Sequence, residues 1–136
     1  MSINPVREGF HTVTPYLIVQ DAPGLIEFVK QAFGATESFR TVGSAGGIHC
    51  EVKIGNSMVM IGGGWENGTW SGESSPATLF LYIPEVDTVY ENALKAGATS
   101  IMQPNDRPEG DRTGGVQDAF GNVWYIATHL EDVSLT

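Results

Sequence analysis

The sequence predicts an α+β fold in which one small βαβββ unit occurs twice. Two hairpins support the repeat, because residues 53–61 and 119–127 share a Gly-Asn turn followed by an apolar strand. A Gly-Ala-Thr triplet also follows each predicted helix, at residues 34–36 and 97–99. With 136 residues the chain is long enough to bury a core as a single domain.

The first module is expected at about residues 12–62. Asp21 is a good helix cap, Pro23 suits the first turn, and apolar residues at helical spacing continue to Phe33 before Gly34 ends the helix. Alternation of apolar and polar side chains around this helix predicts the strands. They are Val13 to Val19, Thr36 to Val42, Ile48 to Ile54 and Met58 to Ile61.

The second module is expected at about residues 77–129. Its helix begins near Val86 and ends at Gly97. Pro104 to Arg112 is predicted to be a polar loop. The strands are Thr78 to Ile83, a short one from Thr99 to Met102, one around Val116, and Val123 to Thr128.

A β-turn at Asp118-Ala119-Phe120-Gly121 is the clearest local signal in the chain. Aspartate at the first position of a turn accepts hydrogen bonds from its own backbone, and glycine at the last position adopts positive φ readily. The turn therefore predicts a β-hairpin whose second strand begins at Val123.

Between the modules lies a long Gly- and Ser-rich loop, residues 63–76. It carries Trp65 and Trp70, and large aromatic side chains in a loop need a surface against which to pack. A lid over a ligand site and a contact in a dimer both remain open. The glycines are not a phosphate-binding loop, because no Gly-Lys-Ser/Thr follows them.

Composition excludes several classes of partner. Sixteen acidic and seven basic residues give a net charge of −9, which argues against nucleic acid and anionic membranes and leaves cationic ligands open. We find neither a membrane-spanning apolar run nor a signal-peptide core. The single cysteine, Cys50, cannot form an internal disulfide, so we expect a buried thiol and a cytoplasmic protein.

Three stretches resemble the vicinal-oxygen-chelate superfamily, and in particular its PhnB-like branch. They are residues 14–21, the hairpin of residues 49–61, and residues 110–129, GDRTGGVQDAFGNVWYIATH. The superfamily includes glyoxalases, bleomycin-resistance proteins, extradiol dioxygenases and fosfomycin-resistance enzymes. The resemblance implies curled mixed sheets around a concave cavity, in a homodimer.

Enzymes of this superfamily hold a divalent metal with His and Glu side chains. The resemblance places Thr14, Thr78 (or Pro76) and Tyr125 at the ligand positions, with Met58 and Met60 on the remaining strand. Hydroxyls and thioethers do not replace imidazole or carboxylate for such an ion. We therefore expect neither a family-type metal site nor a cofactor.

Strand alternation predicts which side chains face the cavity. It places an imidazole and a carboxylate, His49 and Glu51, on one strand face. Arg112 either contacts an anionic ligand group or pairs on the surface with Asp111, Glu109 or a neighbouring backbone group. The predicted ligand-binding residues are Thr14, Tyr16, His49, Glu51, Met60, Thr78, Phe80, Tyr82, Arg112 and Tyr125.

This aromatic and thioether lining predicts binding of a small organic molecule, and cationic aromatic molecules suit it. Three alternatives stay open. The chain is a divergent metal-dependent lyase, isomerase or dioxygenase that uses His49 and Glu51, or these two act as an acid/base pair on a bound ligand, or the cavity is filled and the protein has a structural role.

Overall fold

A computed structural model describes residues 3–43, 45–65 and 68–134. Two βαβββ modules follow one another along the chain, as the repeat predicts. The elements are β1 (Tyr16–Val19), α1 (Ala22–Phe33), β2 (Thr36–Val42), β3 (Ile48–Ile54), β4 (Ser57–Gly63), β5 (Thr78–Tyr82), α2 (Val86–Lys95), β6 (Thr99–Asp106), β7 (Asp111–Gln117) and β8 (Val123–His129).

Each module forms one four-stranded mixed sheet. The orders are β1-β4-β3-β2 and β5-β8-β7-β6, so the two sheets share a topology. In each, the first strand pairs parallel with the last, Tyr16 opposite Met60 and Phe80 opposite Tyr125, while the other neighbours are antiparallel. The predicted α+β fold of two βαβββ modules is confirmed.

Helix α1 begins as predicted. The Asp21 carboxylate accepts a hydrogen bond from the Gly24 backbone N–H at 2.9 Å, which satisfies one free donor of the first turn. Gly34, at φ +68°, follows the last residue of the helix. None of the helices among the described residues is both long and apolar enough to cross a membrane.

The chain divides into two compact units. The first comprises Met1–Glu27 and Gly34–Ser75, and the second comprises Phe28–Phe33 and Pro76–Thr136. The last part of α1 thus belongs to the second unit, where the Phe33 ring lies 4.8 Å from that of Trp124. Strand alternation predicts one set of residues turned away from the cavity, and most of that set is buried: Leu17, Val19, Cys50, Val52, Trp124 and Ile126. The remaining members, Leu79, Leu81 and Ile83, are half-buried.

The turn at Asp118 has the predicted geometry and a larger role than the sequence indicates. Gly121 has φ +97°, and the Asp118 carboxylate accepts hydrogen bonds from the backbone N–H groups of Phe120 and Asn122 at 2.9 Å each. It also accepts from the Asn122 amide at 3.0 Å and from the Trp124 indole N–H at 2.8 Å. One buried carboxylate therefore satisfies four donors around the hairpin.

The strand limits differ most from prediction in β6 and β1. Strand β6 continues through Pro104 to Asp106, so the predicted loop from Pro104 to Arg112 is wrong in most of its length and only residues 107–110 connect β6 to β7. The pairing of β6 shifts register between Met102 and Asn105, around the proline that has no N–H to donate. Strand β1 is shorter than predicted and begins at Tyr16, because Val13 and Thr14 pair with no strand.

Replacing Asp118 by alanine should lower the free energy of unfolding by about 3 kcal/mol, because it leaves the buried Trp124 and Asn122 donors without an acceptor. Urea denaturation followed by tryptophan fluorescence and circular dichroism measures the change. Asn56→Ala, in the equivalent exposed turn of the first unit, is the matched control and should change stability little. Equal effects of the two substitutions would contradict this role of Asp118.

Candidate functional site

Four side chains of the first unit form one continuous hydrogen-bonded chain. The Tyr16 hydroxyl lies 2.8 Å from Nδ1 of His49, and Nε2 of His49 lies 3.0 Å from Oε2 of Glu51. Arg7 then contacts both carboxylate oxygens of Glu51, at 2.9 and 3.0 Å. The sequence placed Tyr16, His49 and Glu51 in a ligand site, and the structure brings these three together.

The sheet accounts for this arrangement. His49 and Glu51 are two residues apart on β3 and so point to the same face. Met60 of β4 is paired with Tyr16 on one side and Glu51 on the other, and its half-buried side chain belongs to the same face. Thr14, just before β1, is half-buried and stands outside the hydrogen-bonded chain.

Protonation sets the direction of each hydrogen bond. Arg7, and to a smaller degree His49, hold the pKa of Glu51 below its ordinary value, so this carboxylate is an acceptor. Burial, with a smaller effect of the Glu51 charge, raises the pKa of Tyr16, so its hydroxyl keeps its proton. A His49 ring with its proton on Nε2 donates to Glu51 and accepts from Tyr16, which satisfies both neighbours.

A pocket of about 250 Å³ opens beside this chain in the first unit. Tyr16, Ile18, His49 and Trp70 provide its side-chain walls. The rest of the lining is largely backbone, from the glycines of the turn after β2 and of the end of β4. The pocket thus combines aromatic and apolar walls with an imidazole that leads to a buried carboxylate.

Two glycines allow the aromatic walls to lie where they do. A Cβ at Gly62 would stand 2.9 Å from the Tyr16 ring and hydroxyl, so the ring packs closely against bare backbone. A Cβ at Gly47 would stand 2.6 Å from Cδ1 of Trp70. Real Cβ atoms do not approach that closely, so both positions need glycine to keep the pocket open.

The loop after β4 is held against the first unit by polar contacts. The Thr69 hydroxyl donates to the Gly46 carbonyl at 2.9 Å, the Gln20 amide donates to the Gly72 carbonyl at 3.0 Å, and Ser75 pairs with Ile18 of β1. Within this loop Trp70 is half-buried and Trp65 is 59% exposed. Trp70 therefore forms part of the pocket wall, whereas the sequence left the role of this tryptophan open.

In the second unit, three predicted residues form an aromatic cluster on one face of the sheet. The Phe80 ring lies 5.1 Å from that of Tyr82 and 6.4 Å from that of Tyr125, and Phe80 and Tyr82 are 52% and 66% exposed. Tyr125 lies over Gly115, where an added Cβ would be 3.1 Å from its ring. Thr78, at the start of β5, is exposed.

Arg112 lies on the opposite face of that sheet. It pairs in register with Thr128, whose hydroxyl accepts from the Val86 N–H at the start of α2. Its guanidinium contacts both carboxylate oxygens of Asp87 at 2.9 and 3.0 Å, and Asp106 at 3.0 Å. Arg112 therefore forms a surface ion pair, with partners other than the Asp111 or Glu109 that we expected.

A second polar network joins the predicted site residue Tyr82 to Asp111 and His129, which the prediction did not include, and Asp111 is buried. Its carboxylate accepts from the Tyr82 hydroxyl at 2.8 Å and contacts Nδ1 of His129 at 2.8 Å, while Nε2 of His129 contacts Asp132 at 2.7 Å. His129 and then Tyr82 lower the pKa of Asp111, and the two carboxylates raise that of His129. Asp111 lies near the end of a segment that was predicted to be a loop, so no strand pattern indicated that it would be buried.

The resemblance to metal-dependent enzymes implies a divalent ion, and the donors present do not fit one. No group of three or more His, Cys, Asp or Glu side chains in residues 3–43, 45–65 and 68–134 is arranged to hold a metal. Protein partners already occupy both nitrogens of His49 and both oxygens of Glu51. His129 is likewise bonded through both nitrogens, each to a carboxylate.

Comparison with known sequences identifies a matching protein family. Residues 9–126 match the model of the glyoxalase/bleomycin resistance protein/dioxygenase superfamily. An uncharacterized protein of Mycobacterium bovis is 34% identical over 131 residues, which cover 90% of this chain and 86% of that protein. A Mycobacterium tuberculosis protein is 34% identical over 131 residues, which cover 90% of this chain and 77% of that protein.

Solved structures with the same fold include three whose descriptions differ. TioX from Micromonospora superposes with a TM-score of 0.70 at 24% identity, over 88% of this chain and 99% of that one. A glyoxalase/bleomycin resistance protein/dioxygenase from Nocardioides gives 0.64 at 20%, over 93% and 88%. The fosfomycin resistance protein FosX from Listeria monocytogenes gives 0.63 at 17%, over 85% and 91%.

The Glu51 ion pair should make stability depend on pH in one direction. Because the folded-state pKa of Glu51 is lowered, its contribution is complete above the ordinary value of 4.5 and is lost as the pH falls through the folded-state pKa. Glu51→Gln should therefore destabilise the protein at neutral pH, and the gap to wild type should close in acid.

Urea denaturation at pH steps from about 7 to about 3 measures this gap. Glu91→Gln, on the exposed face of α2, is the control and should show a small gap throughout. A large Glu51→Gln gap that persists unchanged to the lowest pH would show that the carboxylate charge is not what stabilises the site.

Proposed function

This chain belongs to the glyoxalase/bleomycin resistance protein/dioxygenase superfamily, and we propose that it binds a small, flat, cationic organic molecule in the pocket of its first unit without a metal ion. The observation that carries the proposal is the pocket of about 250 Å³ between the aromatic rings of Tyr16 and Trp70, beside His49. Pockets of this kind, apolar with a few convergent polar groups, are typical small-molecule sites.

The chemistry of the walls favours a flat ligand. Gly47 and Gly62 let the rings of Trp70 and Tyr16 pack closely on bare backbone, and these two rings then line the pocket as aromatic surface on which a planar molecule can stack. Aromatic stacking and cation–π contacts contribute about 0.5–2 kcal/mol each. His49, which is hydrogen-bonded to Glu51 behind it, supplies a polar group in the pocket wall that can orient the ligand.

A positive charge on the ligand fits the protein's own charge. The net charge of −9 attracts cations and repels anions. The face of an aromatic ring also prefers a cation, and both aromatic walls of the pocket offer one. An acidic protein with an aromatic pocket thus supports sequestration of a cationic molecule over binding of an anionic metabolite.

The rival function is a divergent metal-dependent lyase, isomerase or dioxygenase built on His49 and Glu51. The contacts of Arg7 and Tyr16 argue against it, since a metal would have to displace a bidentate guanidinium and a hydroxyl to reach these donors. The position of His49 still suits an acid/base role, but the structure does not define the substrate group on which His49 would act. The binding function therefore has the better support.

Other expectations accompany this proposal. We expect a homodimer and a cytoplasmic location, and we place the chain in the PhnB-like branch on the motifs of residues 110–129. Phe80, Tyr82 and Tyr125 form the exposed aromatic face of the second unit and remain candidate ligand contacts.

Replacing Trp70 by alanine should weaken binding of proflavine, a flat tricyclic cation, roughly fivefold to tenfold, because one aromatic wall is lost. Fluorescence titration measures the affinity. Trp65→Ala is the matched control, since it removes an exposed tryptophan from the same loop and should leave binding unchanged. Tighter binding of the tricyclic anion anthracene-9-carboxylate than of proflavine, or equal effects of the two substitutions, would refute the proposal.

Protein purified without chelator should carry far less than about one divalent metal ion per chain, because the donors of the first unit are already engaged. Elemental analysis after size-exclusion chromatography gives the content. Tightly held zinc, nickel, manganese or iron near one per chain, lost together with His49→Ala, would favour the metal-dependent rival.

A further inference from the structure

The partner of the buried carboxylate is itself exposed. Glu51 is 3% exposed, whereas the side chain of Arg7, which contacts both of its oxygens, is 65% exposed. A carboxylate withdrawn from water needs a cation or several donors to remain ionised. The sheet itself does not supply that cation, however, because Arg7 precedes the first strand.

The segment that supplies Arg7 is lightly attached. Among the hydrogen bonds described for residues 3–13, those of Val6 with Asn4 and of Phe10 with Arg7 run within the segment. The Arg7 guanidinium also lies over the Phe10 ring, 4.5 Å from its centroid. The hydrogen bonds that tie these described residues to the sheet are the two between Arg7 and Glu51.

Glu51 lies one side chain behind the pocket wall. His49 lines the pocket and bonds to Glu51, two residues further along the same strand face. Two residues of strand span about 7 Å, which is close to the length of a bicyclic aromatic ring. A planar ligand stacked on Tyr16 can therefore place a substituent at the Glu51 carboxylate once the guanidinium has left.

We infer that Arg7 is an internal stand-in for the ligand's cation, and that the natural ligand is an aromatic molecule with an amidinium- or guanidinium-type group that displaces Arg7 from Glu51. The carboxylate takes Arg7 through two parallel hydrogen bonds, and a planar fork of donors is the group that reproduces them. A single ammonium does not. The N-terminal segment then acts as a strap that is closed in the free protein and released by the ligand.

This inference rests on the proposed function and makes its ligand class more specific. It predicts that naphthalene-2-carboxamidine binds more tightly than the uncharged naphthalene-2-carboxamide, and that Glu51→Gln removes the difference. It also predicts that Arg7→Ala tightens amidine binding by about threefold or more, because the internal competitor is gone. A purely structural Arg7 predicts the reverse, or no change.

Isothermal titration of both naphthalenes into wild type, Arg7→Ala and Glu51→Gln tests these points. Arg107→Ala, which removes an exposed arginine of the second unit, controls for the change of net charge and should leave amidine affinity unchanged. If Arg7→Ala is folded and binds the amidine no more tightly than wild type, the inference is overturned.

A measurement on the wild type covers the case in which Arg7→Ala does not fold. Saturating amidine should speed hydrogen exchange in the N-terminal peptide that contains residues 3–13 and slow it in β3 and β4. Unchanged or slower exchange in that peptide would overturn the strap. If proflavine binds but the amidine shows no preference over the amide, this inference fails alone, and if neither cation binds, the proposed function fails with it.

Discussion

The burial of Glu51 in the middle of β3 is the constraint on which the candidate site depends. A carboxylate that is 3% exposed requires partners, and the structure supplies a guanidinium on one side and an imidazole on the other. That requirement fixes His49 with Nε2 toward Glu51, which leaves Nδ1 for the Tyr16 hydroxyl. The buried charge of Glu51 thus determines how the side chains are arranged between Arg7 in the N-terminal segment and Tyr16 at the edge of the pocket.

The two modules use the same backbone for different chemistry. In each sheet a tyrosine ring packs closely against a glycine, Tyr16 against Gly62 and Tyr125 against Gly115. The polar groups, however, diverge. The second unit places its buried carboxylates at Asp118, which holds the hairpin, and at Asp111, whereas the first unit places its carboxylate among the aromatic residues as Glu51.

Local signals in the sequence were sufficient for most of the fold. Asp21, Asp118 and Gly121 act through their own neighbours in the chain, so their caps and turns could be predicted from spacing. Alternation also placed His49 beside Glu51. The extension of β6 across Pro104 could not be predicted, because proline, asparagine and aspartate are poor strand formers and the pairing comes from β7.

The parts of the site that could not be predicted depend on contacts between residues that are far apart in the sequence. Arg7 reaches Glu51 across 44 residues of sequence, from a polar segment without periodicity. Trp70 stands in the pocket wall because a loop bond from Thr69 to Gly46 and the bare backbone of Gly47 admit it. Neither partner leaves a pattern in its own stretch of sequence, since each contact depends on how the sheet brings distant segments together.

A flat cationic ligand bound in the pocket of the first unit should perturb the residues that line this pocket. A ¹⁵N-resolved NMR titration of the full chain with proflavine tests it most directly. We predict that the largest shifts fall on the Trp70 indole N–H and on the backbone amides of Gly47, Gly62 and Gly63, which line the pocket. Shifts confined to the face formed by Phe80, Tyr82 and Tyr125 would contradict it.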